Sequence, residues 1–146
     1  MTSPEPLSYS DAKLRHILSM VKTIALVGAS PNQSRPSYGV MKYLQAKGYR
    51  VIPVNPGIAG QDLLGETVYA SLGEIPEPID MVDMFRKPTE APAIVDEAIA
   101  VGAKVVWMQI DVRHDEAAAK AEAAGLEVVM DRCPKIEIER LDRRAG

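Results

Sequence analysis

The alternation of short apolar runs with helical segments constrains the fold of this chain more than any other feature. The runs are TIALVG (23–28), YRVIPVNP (49–56), IDMVDMF (79–85), AKVVWMQ (103–109) and LEVVM (126–130). Strands that alternate with helices join through right-handed crossovers into a parallel sheet with helices on both faces. The predicted fold class is therefore α/β, with a single Rossmann-like doubly wound parallel sheet of about five strands in the order 3-2-1-4-5.

The chain of 146 residues is predicted to form one domain behind a short arm. Residues 1–10 are rich in serine and proline, and we expect them to be a flexible N-terminal arm. The pattern then runs from 11 to 146 without a linker or an internal repeat, which predicts one Rossmann-like domain. Asp11 is the expected N-cap of the first helix, and residues 57–78 are expected to be a loop.

The composition narrows the functions that are open to the chain. The net charge of -3 and the 5% aromatic content argue against a nucleic-acid partner, because such partners select basic faces and stacking aromatics. No apolar run approaches the roughly 20 residues that span a bilayer, and the first residues lack the order of a signal peptide. One cysteine and two histidines give no basis for a disulfide or a metal centre. We therefore expect a cytoplasmic protein with no metal and no membrane partner.

The ends of the predicted strands carry the candidate binding residues. In a doubly wound sheet the ligand lies beyond the carboxyl ends of the strands, where the winding direction reverses. With the predicted order, this crevice lies between the first and the fourth strand. The segments that border it are GASPNQSRPS (28–37), NPG (55–57), FRKP (85–88) and MQID (108–111).

The loop after the first strand is predicted to hold phosphate groups. Gly28 allows the backbone to approach a ligand, and the following helix directs its first amide groups at the loop. Ser30, Ser34 and Arg35 add hydroxyl and guanidinium donors for a diphosphate. The alternative is a capping turn, with Ser37 as the N-cap of the helix and Arg35 in solvent.

The end of the second strand separates two classes of nucleotide ligand. An NAD site in this fold has an acidic residue there, which binds the ribose diol. This strand ends instead with Asn55 and Pro56, and Asp62 and Glu66 follow only later in the chain. The sequence therefore argues against a conventional dehydrogenase.

Five segments together resemble a known family. They are GASPNQSRPSYGVMKYL, VIPVNP, VDMFRKP, WMQIDV and VMDRCPKIE. In this order they are similar to the CoA-binding domain family, which comprises small stand-alone bacterial and archaeal relatives of the N-terminal Rossmann-like domain of the succinyl-CoA synthetase alpha subunit. The resemblance runs from about residue 13 to residue 141. It implies that CoA is the ligand and that it binds across the strand ends.

The resemblance also implies which residues contact CoA. The first loop would bind the nucleotide phosphates, the end of the second strand would line the adenine and ribose, and the next two strand ends would complete the site. In that order the residues are Gly28, Ala29, Ser30, Ser34, Arg35 and Pro36, then Asn55 and Pro56, then Phe85 and Arg86, then Met108 and Gln109. Ile58 stands where the synthetase subunit has a phosphate-binding lysine, and Arg35 or Arg86 is expected to substitute for it.

The predicted function is a CoA- or acyl-CoA-binding module without catalytic residues, which senses, carries or buffers CoA. It would act alone, as a homo-oligomer or with a partner enzyme. Two alternatives stay open: a small enzyme that uses NAD(P) or CoA in the same crevice, and a regulatory subunit with a vestigial pocket.

Cys133 follows the fifth strand and is a further candidate for chemistry. Arg132 or the start of the last helix could activate it, so that it forms a mixed disulfide with the thiol of bound CoA. The alternative is a small buried side chain beside Pro134.

Overall fold

A computed structural model describes residues 6–145, and a parallel sheet of five strands lies at its centre. The strands of the described chain are β1 Thr23–Val27, β2 Arg50–Val54, β3 Asp62–Leu63, β4 Glu66–Thr67, β5 Met81–Met84, β6 Val105–Met108 and β7 Glu127–Val129. The helices are α1 Asp11–Met20, α2 Pro36–Ala46, α3 Ala91–Ala100, α4 Asp115–Ala123 and α5 Pro134–Ala145. The central sheet has the order β2-β1-β5-β6-β7, and each neighbouring pair is parallel.

The predicted fold class is confirmed, whereas the predicted strand order is wrong in one respect. The order 3-2-1-4-5 puts the third strand beyond the second, but that strand, β5, lies between β1 and β6. The outer edge of β2 is already occupied, because Tyr69 N donates to Pro53 O (3.0 Å) and Asn55 N donates to Tyr69 O (2.9 Å). The four residues of β5 are all buried, which suits a strand with a neighbour on each side.

The connection from β2 to β5, expected to be a loop over residues 57–78, contains an antiparallel hairpin of β3 and β4. Its two-residue turn is formed by Leu64 and Gly65, with φ angles of 51° and 86°. Two consecutive residues with positive φ match the twist of a two-stranded ribbon. The connection therefore has its own structure and runs beside β2 before the chain crosses to β5.

Apolar side chains on both faces of the sheet account for its two helical layers. On one face the buried Trp107 packs with side chains of α1, α2 and α5. On the other face Met84 packs with α3 and α4, and α4 contributes the small residues Ala117, Ala118 and Ala121. Among the helices of residues 6–145, none is long and apolar enough to cross a lipid bilayer.

The segment before α1 and the first turn of that helix bond to the end of β7. Met130 N donates to Tyr9 Oη (2.9 Å), and Lys13 Nζ donates to Val128 O (3.3 Å). Ser10, not the expected Asp11, caps α1, because its hydroxyl accepts from Lys13 N (3.1 Å). Residues 1–5 of the predicted flexible arm 1–10 lie outside the described residues, so the arm stays a prediction.

Candidate ligand-binding site

The strand order fixes where the winding direction of the sheet reverses. From β1 the chain goes to β2 on one side, and it then crosses to β5 on the other side of β1. A ligand crevice is therefore expected beyond the carboxyl ends of β1 and β5. This corrects the predicted position between the first and the fourth strand by one strand.

Gly28 directly follows β1 and lies close to the backbone of Phe85, which directly follows β5. Its φ is +92°, and a Cβ atom built on it would lie 2.3 Å from the carbonyl oxygen of Phe85. Phe85 N in turn donates to Val27 O (2.8 Å). The close contact with Phe85 is a sufficient reason for glycine at position 28, because a side chain would clash there and would be strained at this positive φ angle.

The loop that follows Gly28 is folded around Asn32. The Oδ1 atom of Asn32 accepts from Ser34 N (3.0 Å) and from Ser34 Oγ (2.7 Å). Asn32 N donates to Ser30 Oγ (3.1 Å), and Arg35 N donates to Asn32 O (3.0 Å). These bonds give the loop a defined shape and lead the chain into α2.

Helix α2 begins without a side-chain cap. Arg35 occupies the N-cap position and makes no capping hydrogen bond, and Pro36 begins the helix. The alternative with Ser37 as N-cap is wrong, because Ser37 lies buried inside the first turn. The first amide groups of α2 therefore have no side-chain acceptor, which leaves the positive end of an 11-residue helix for an anion.

Most of the residues proposed from the sequence lie around one cavity of about 350 Å³. This cavity adjoins a wider crevice of about 1170 Å³ and, on its other side, a third depression of about 390 Å³. Arg86 borders all three spaces, Gln109 lines the wide crevice and Pro56 lines the third. The predicted residues around the 350 Å³ cavity are Gly28, Ala29, Ser30, Arg35, Pro36, Asn55, Phe85 and Arg86.

Two predicted residues are placed elsewhere. Met108 is fully buried in the core below the crevice, and Ser34 is exposed, with its side chain bonded to Asn32. Conversely, the sequence reasoning did not propose Glu90 and Ile136, which line the wide crevice. The position of Glu90 four residues after Arg86 was the one available signal, since such a pair meets when the chain turns helically.

An ion pair with two hydrogen bonds to one carboxylate oxygen orients one of the two site arginines. Arg86 donates to Glu90 Oε1 from Nη2 (2.9 Å) and from Nε (3.1 Å). These bonds hold the pKa of Glu90 below its ordinary value, so its carboxylate is ionised at neutral pH. Arg35 is exposed and has no carboxylate partner among the described residues. The site thus presents one preoriented and one available guanidinium beside the start of α2.

Asn55 joins the two strand ends rather than pointing a free amide at the cavity. Its Nδ2 donates to Ala29 O (2.8 Å), and its Oδ1 accepts from Gly57 N (2.8 Å). Both polar atoms of the side chain are therefore satisfied within the protein. The end of β2 accordingly offers no carboxylate to a ribose diol.

The far end of the wide crevice differs in character. Ile110 and Ile136, which are 48% and 49% exposed, line it together with Cys133. Gln109 also lines it, is only 6% exposed, and has no hydrogen-bond partner for Oε1 among the described residues. Arg132, expected to act on Cys133, instead donates to Leu7 O (3.1 Å). The crevice therefore has a cationic end and an apolar end.

Comparison with known proteins identifies the family. A family model described as a CoA binding domain matches residues 22–139, which is most of the chain. The chain belongs to the CoA-binding domain family. The predicted family is thereby confirmed.

Two curated relatives of this CoA-binding domain differ in length. The chain is 39% identical over 127 residues to the uncharacterized protein YneT of Bacillus subtilis, covering 87% of this chain and 93% of that protein. It is 33% identical over 89 residues to the alpha subunit of an ADP-forming acetate–CoA ligase of Pyrococcus furiosus. The second match covers 58% of this chain and only 19% of the ligase subunit.

A solved structure supports the same architecture over the whole domain. The hypothetical protein from Pyrococcus horikoshii OT3 superposes with a TM-score of 0.88 at 45% identity, covering 97% of this chain and 99% of that one. The two-ended crevice of this CoA-binding domain is thus built on a fold shared with other small proteins. Chemically, its donors suit a phosphorylated ligand with an apolar extension.

Proposed function

We propose that this CoA-binding domain binds CoA or acyl-CoA and acts as a binding module without catalytic residues. The observation that carries the proposal is the meeting of Arg35 and Arg86 at the uncapped start of α2. Two guanidinium groups and a helix N-terminus form a strong site for phosphate oxygens, because each supplies charge-assisted donors.

The loop around Asn32 supports the same assignment. Ser30 and Gly28 line the 350 Å³ cavity with Arg35 and Arg86, so a hydroxyl group joins the two guanidinium groups around this space. The nucleotide diphosphate of CoA would occupy this cavity. Arg86 would take over the role of the lysine that Ile58 replaces.

The titratable groups around the crevice favour binding over acid–base catalysis. Glu90 lies beside the proposed phosphate site, and its lowered pKa makes its carboxylate a weak proton acceptor. Among the described lining residues, the other carboxylate is the exposed Asp111. We therefore propose that the module senses, carries or buffers CoA in the cytoplasm, by itself or with a partner enzyme.

The alternative, an NAD(P)-dependent enzyme in the same crevice, is less well supported. Its ribose would meet Asn55, whose amide is already bonded to Ala29 O and Gly57 N. A ligand that needs an acceptor at this point would leave its diol unpaired, which costs affinity.

The direct test is isothermal titration of the protein with CoA, acetyl-CoA, NAD⁺ and NADP⁺. We expect saturable binding of CoA and acetyl-CoA, and a loss of about tenfold or more in affinity for Arg35→Ala and for Arg86→Ala. Glu90→Gln should raise the affinity, because it keeps an acceptor for Arg86 and removes a negative charge beside the phosphates. Arg143→Ala, at the opposite end of α5 from the crevice, is the matched control and should bind as the wild type does.

The outcomes are easily separated. Tight binding of NAD⁺ or NADP⁺ without CoA binding would overturn the proposal in favour of the dinucleotide alternative. Absence of binding by all four ligands would favour a vestigial pocket. CoA binding that is unaffected by either arginine substitution would refute the proposed phosphate site.

A further inference from the structure

The apolar end of the wide crevice holds the exposed large hydrophobic residues of the described chain. They are Ile110, which follows β6, and Ile136, in the first turn of α5, and both are about half exposed. Val40, Val112 and Cys133 line the same crevice and are buried, so the surface beneath the isoleucines is apolar. A single exposed isoleucine is ordinary, but two that share one crevice indicate a surface that a ligand covers.

A tight turn after β6 holds Ile110 at the surface. Val112 N donates to Gln109 O (2.8 Å), which closes the turn with Ile110 as its first central residue. Asp111, the second central residue, has a φ of 70°, and its N–H donates to Asp131 Oδ1 (2.8 Å). This bond ties the turn to the chain after β7. The exposure of Ile110 is therefore a property of an anchored backbone, and a turn of this kind does not require an apolar residue at that place.

Helix α5 places Ile136 away from the core. The side chains of Ile138 and Leu141 are buried against the sheet. Ile136 lies two positions before Ile138, which is about 200° around a helix that turns by about 100° per residue. The packing of α5 on the sheet therefore does not require an isoleucine at position 136, and a polar residue would fit the amphipathic pattern better.

The apolar end is continuous with the proposed phosphate site. Arg35, Phe85 and Arg86 line both the 350 Å³ cavity and the wide crevice. The end of β6 lies two strands from the end of β1, which is about 10 Å at the usual strand spacing. The pantetheine arm of CoA is long enough to cover this distance and would bring its sulfur to the apolar end. A free thiol would cover little of that surface, whereas a chain attached to the sulfur would lie on it.

We propose that the apolar end is a subsite for the acyl chain of an acyl-CoA, and that its occupant is an uncharged aliphatic chain longer than acetyl. The chain lies between Ile110 and Ile136. A chain that ends in a carboxylate is disfavoured, because this group would lose water on an apolar surface beside Asp111. The proposal rests on the proposed binding of CoA at the phosphate site, and it narrows the ligand to aliphatic acyl-CoA.

Isothermal titration with CoA and its acetyl, butyryl, hexanoyl and succinyl esters tests the subsite. A methylene group contributes about fourfold in affinity when it is fully buried and about twofold when it is half buried. Since hexanoyl-CoA has four more methylene groups than acetyl-CoA, we expect it to bind at least about tenfold more tightly. Succinyl-CoA is the matched ligand for butyryl-CoA, because both acyl groups have four carbons. It should bind at least about tenfold more weakly than butyryl-CoA.

Two substitutions locate the subsite. Ile110→Ser and Ile136→Ser should each reduce the ratio of hexanoyl-CoA affinity to CoA affinity by about threefold or more. Ile99→Ser is the matched control and should keep the ratio, because Ile99 lies near the C-terminal end of α3, at the opposite edge of the sheet from the crevice. Arg35→Ala should lower both affinities by the same factor and also keep the ratio, since it acts on the phosphates.

The outcomes separate this inference from the proposed function. If CoA binds, but hexanoyl-CoA binds no more tightly than acetyl-CoA, the acyl subsite is refuted and CoA binding stands. If neither CoA nor any ester binds, both proposals fail. A preference for hexanoyl-CoA that survives both isoleucine substitutions would also refute the subsite. So would sedimentation of the ligand-free protein as a dimer that Ile136→Ser converts to a monomer, because a second copy would then cover this surface.

Discussion

Asp80, which precedes β5, and Asp83, which lies within β5, have opposite surroundings. Asp80 Oδ2 accepts from the backbone N–H groups of Lys22 and Thr23, at 3.0 Å each, and Lys104 lies nearby. Partial burial raises the pKa of Asp80, but these contacts outweigh it and the pKa is lowered overall. Asp83 is fully buried without a hydrogen-bond partner among the described residues, and burial raises its pKa well above the ordinary value.

Asp83→Asn should therefore stabilise the protein at neutral pH. The folded state holds the proton of Asp83 more tightly than the unfolded state, so this residue costs stability as the pH rises above about 4. We expect a gain on the order of 1–3 kcal/mol at about pH 7.5, which shrinks towards about pH 4. Urea unfolding at both pH values measures it.

Asp80→Asn is the matched control and should have the opposite sign. The lowered pKa of Asp80 contributes stability above its ordinary pKa, and this contribution is lost as the pH falls through the lowered value. The substitution should destabilise the protein at neutral pH. A neutral-pH loss of stability in the Asp83→Asn protein would mean that its carboxyl group has a partner that the structure lacks.

For single residues, the sequence indicated which side chains follow the strands, but it did not indicate the hydrogen bonds that these side chains make. Gly28, Arg35 and Arg86 could be proposed because the ends of parallel strands share one edge of a sheet. The satisfied amide of Asn55 and the unpaired Oε1 of Gln109 depend on side-chain directions that one strand pattern does not encode. The resemblance placed Met108 together with Gln109 at the end of the fourth predicted strand, but successive residues of a strand point to opposite faces.

In the packing of elements, Gly28 allows the chain after β1 to approach Phe85, and no other residue fits there. Gly39 inside α2 has no such constraint. A Cβ atom at Gly39 would meet nothing within 4 Å, and its φ is not positive. Gly28→Ala should destabilise the protein by about 3 kcal/mol or more, through strain and the contact with Phe85. Gly39→Ala should stabilise it by about 1 kcal/mol, because alanine is the better helix former.

Chemical denaturation of both glycine variants measures these changes. The comparison is informative because both substitutions add the same methyl group within 11 positions of each other. Equal effects would contradict the close approach of β1 to β5. CoA titration of the Gly39→Ala protein should match that of the wild type.

The connection between β2 and β5 explains why the order of the strands was not predictable. The pattern of apolar runs identifies five buried strands but says nothing about which edge each one joins. In this protein Tyr69 occupies the outer edge of β2, so β5 joins the sheet on the other side of β1. Tyr69 lies in a segment that the sequence pattern predicts to be a loop. The turn at Leu64 and Gly65 was the local signal of structure in that segment.

For the whole molecule, CoA should raise thermal stability in a manner that depends on salt. Ligand at about 100 times its dissociation constant stabilises the folded state by about 2.7 kcal/mol, which is several degrees in Tm for a domain of this size. Raising the salt from about 0.1 M to about 1 M shortens the screening length from about 10 Å to about 3 Å and should reduce the shift.

Dephospho-CoA is the matched ligand for this measurement, since it lacks the 3′-phosphate. Its Tm shift should be smaller and less sensitive to salt than that of CoA. With a net charge of -3, the chain as a whole does not attract an anionic ligand, so we expect the salt-dependent shift that dephospho-CoA retains through its diphosphate to come from Arg35, Arg86 and the start of α2. A shift that does not change with salt would contradict the phosphate assignment.

The fold class was predictable because binary patterning repeats along the whole chain, and each repeat agrees with the next. The match of a family model to residues 22–139 and the structural likeness to other small proteins agree with it. The pairing of strands and the division of the crevice into a cationic and an apolar end required three-dimensional contacts between distant residues.

The occupied edges of the sheet limit how copies of the protein can join. Tyr69 bonds to the outer edge of β2, and Tyr9 and Lys13 bond to the end of β7. A second copy that added a strand at either edge would have to displace these bonds. For the same reason, the folded protein offers little template for aggregates that grow by strand addition.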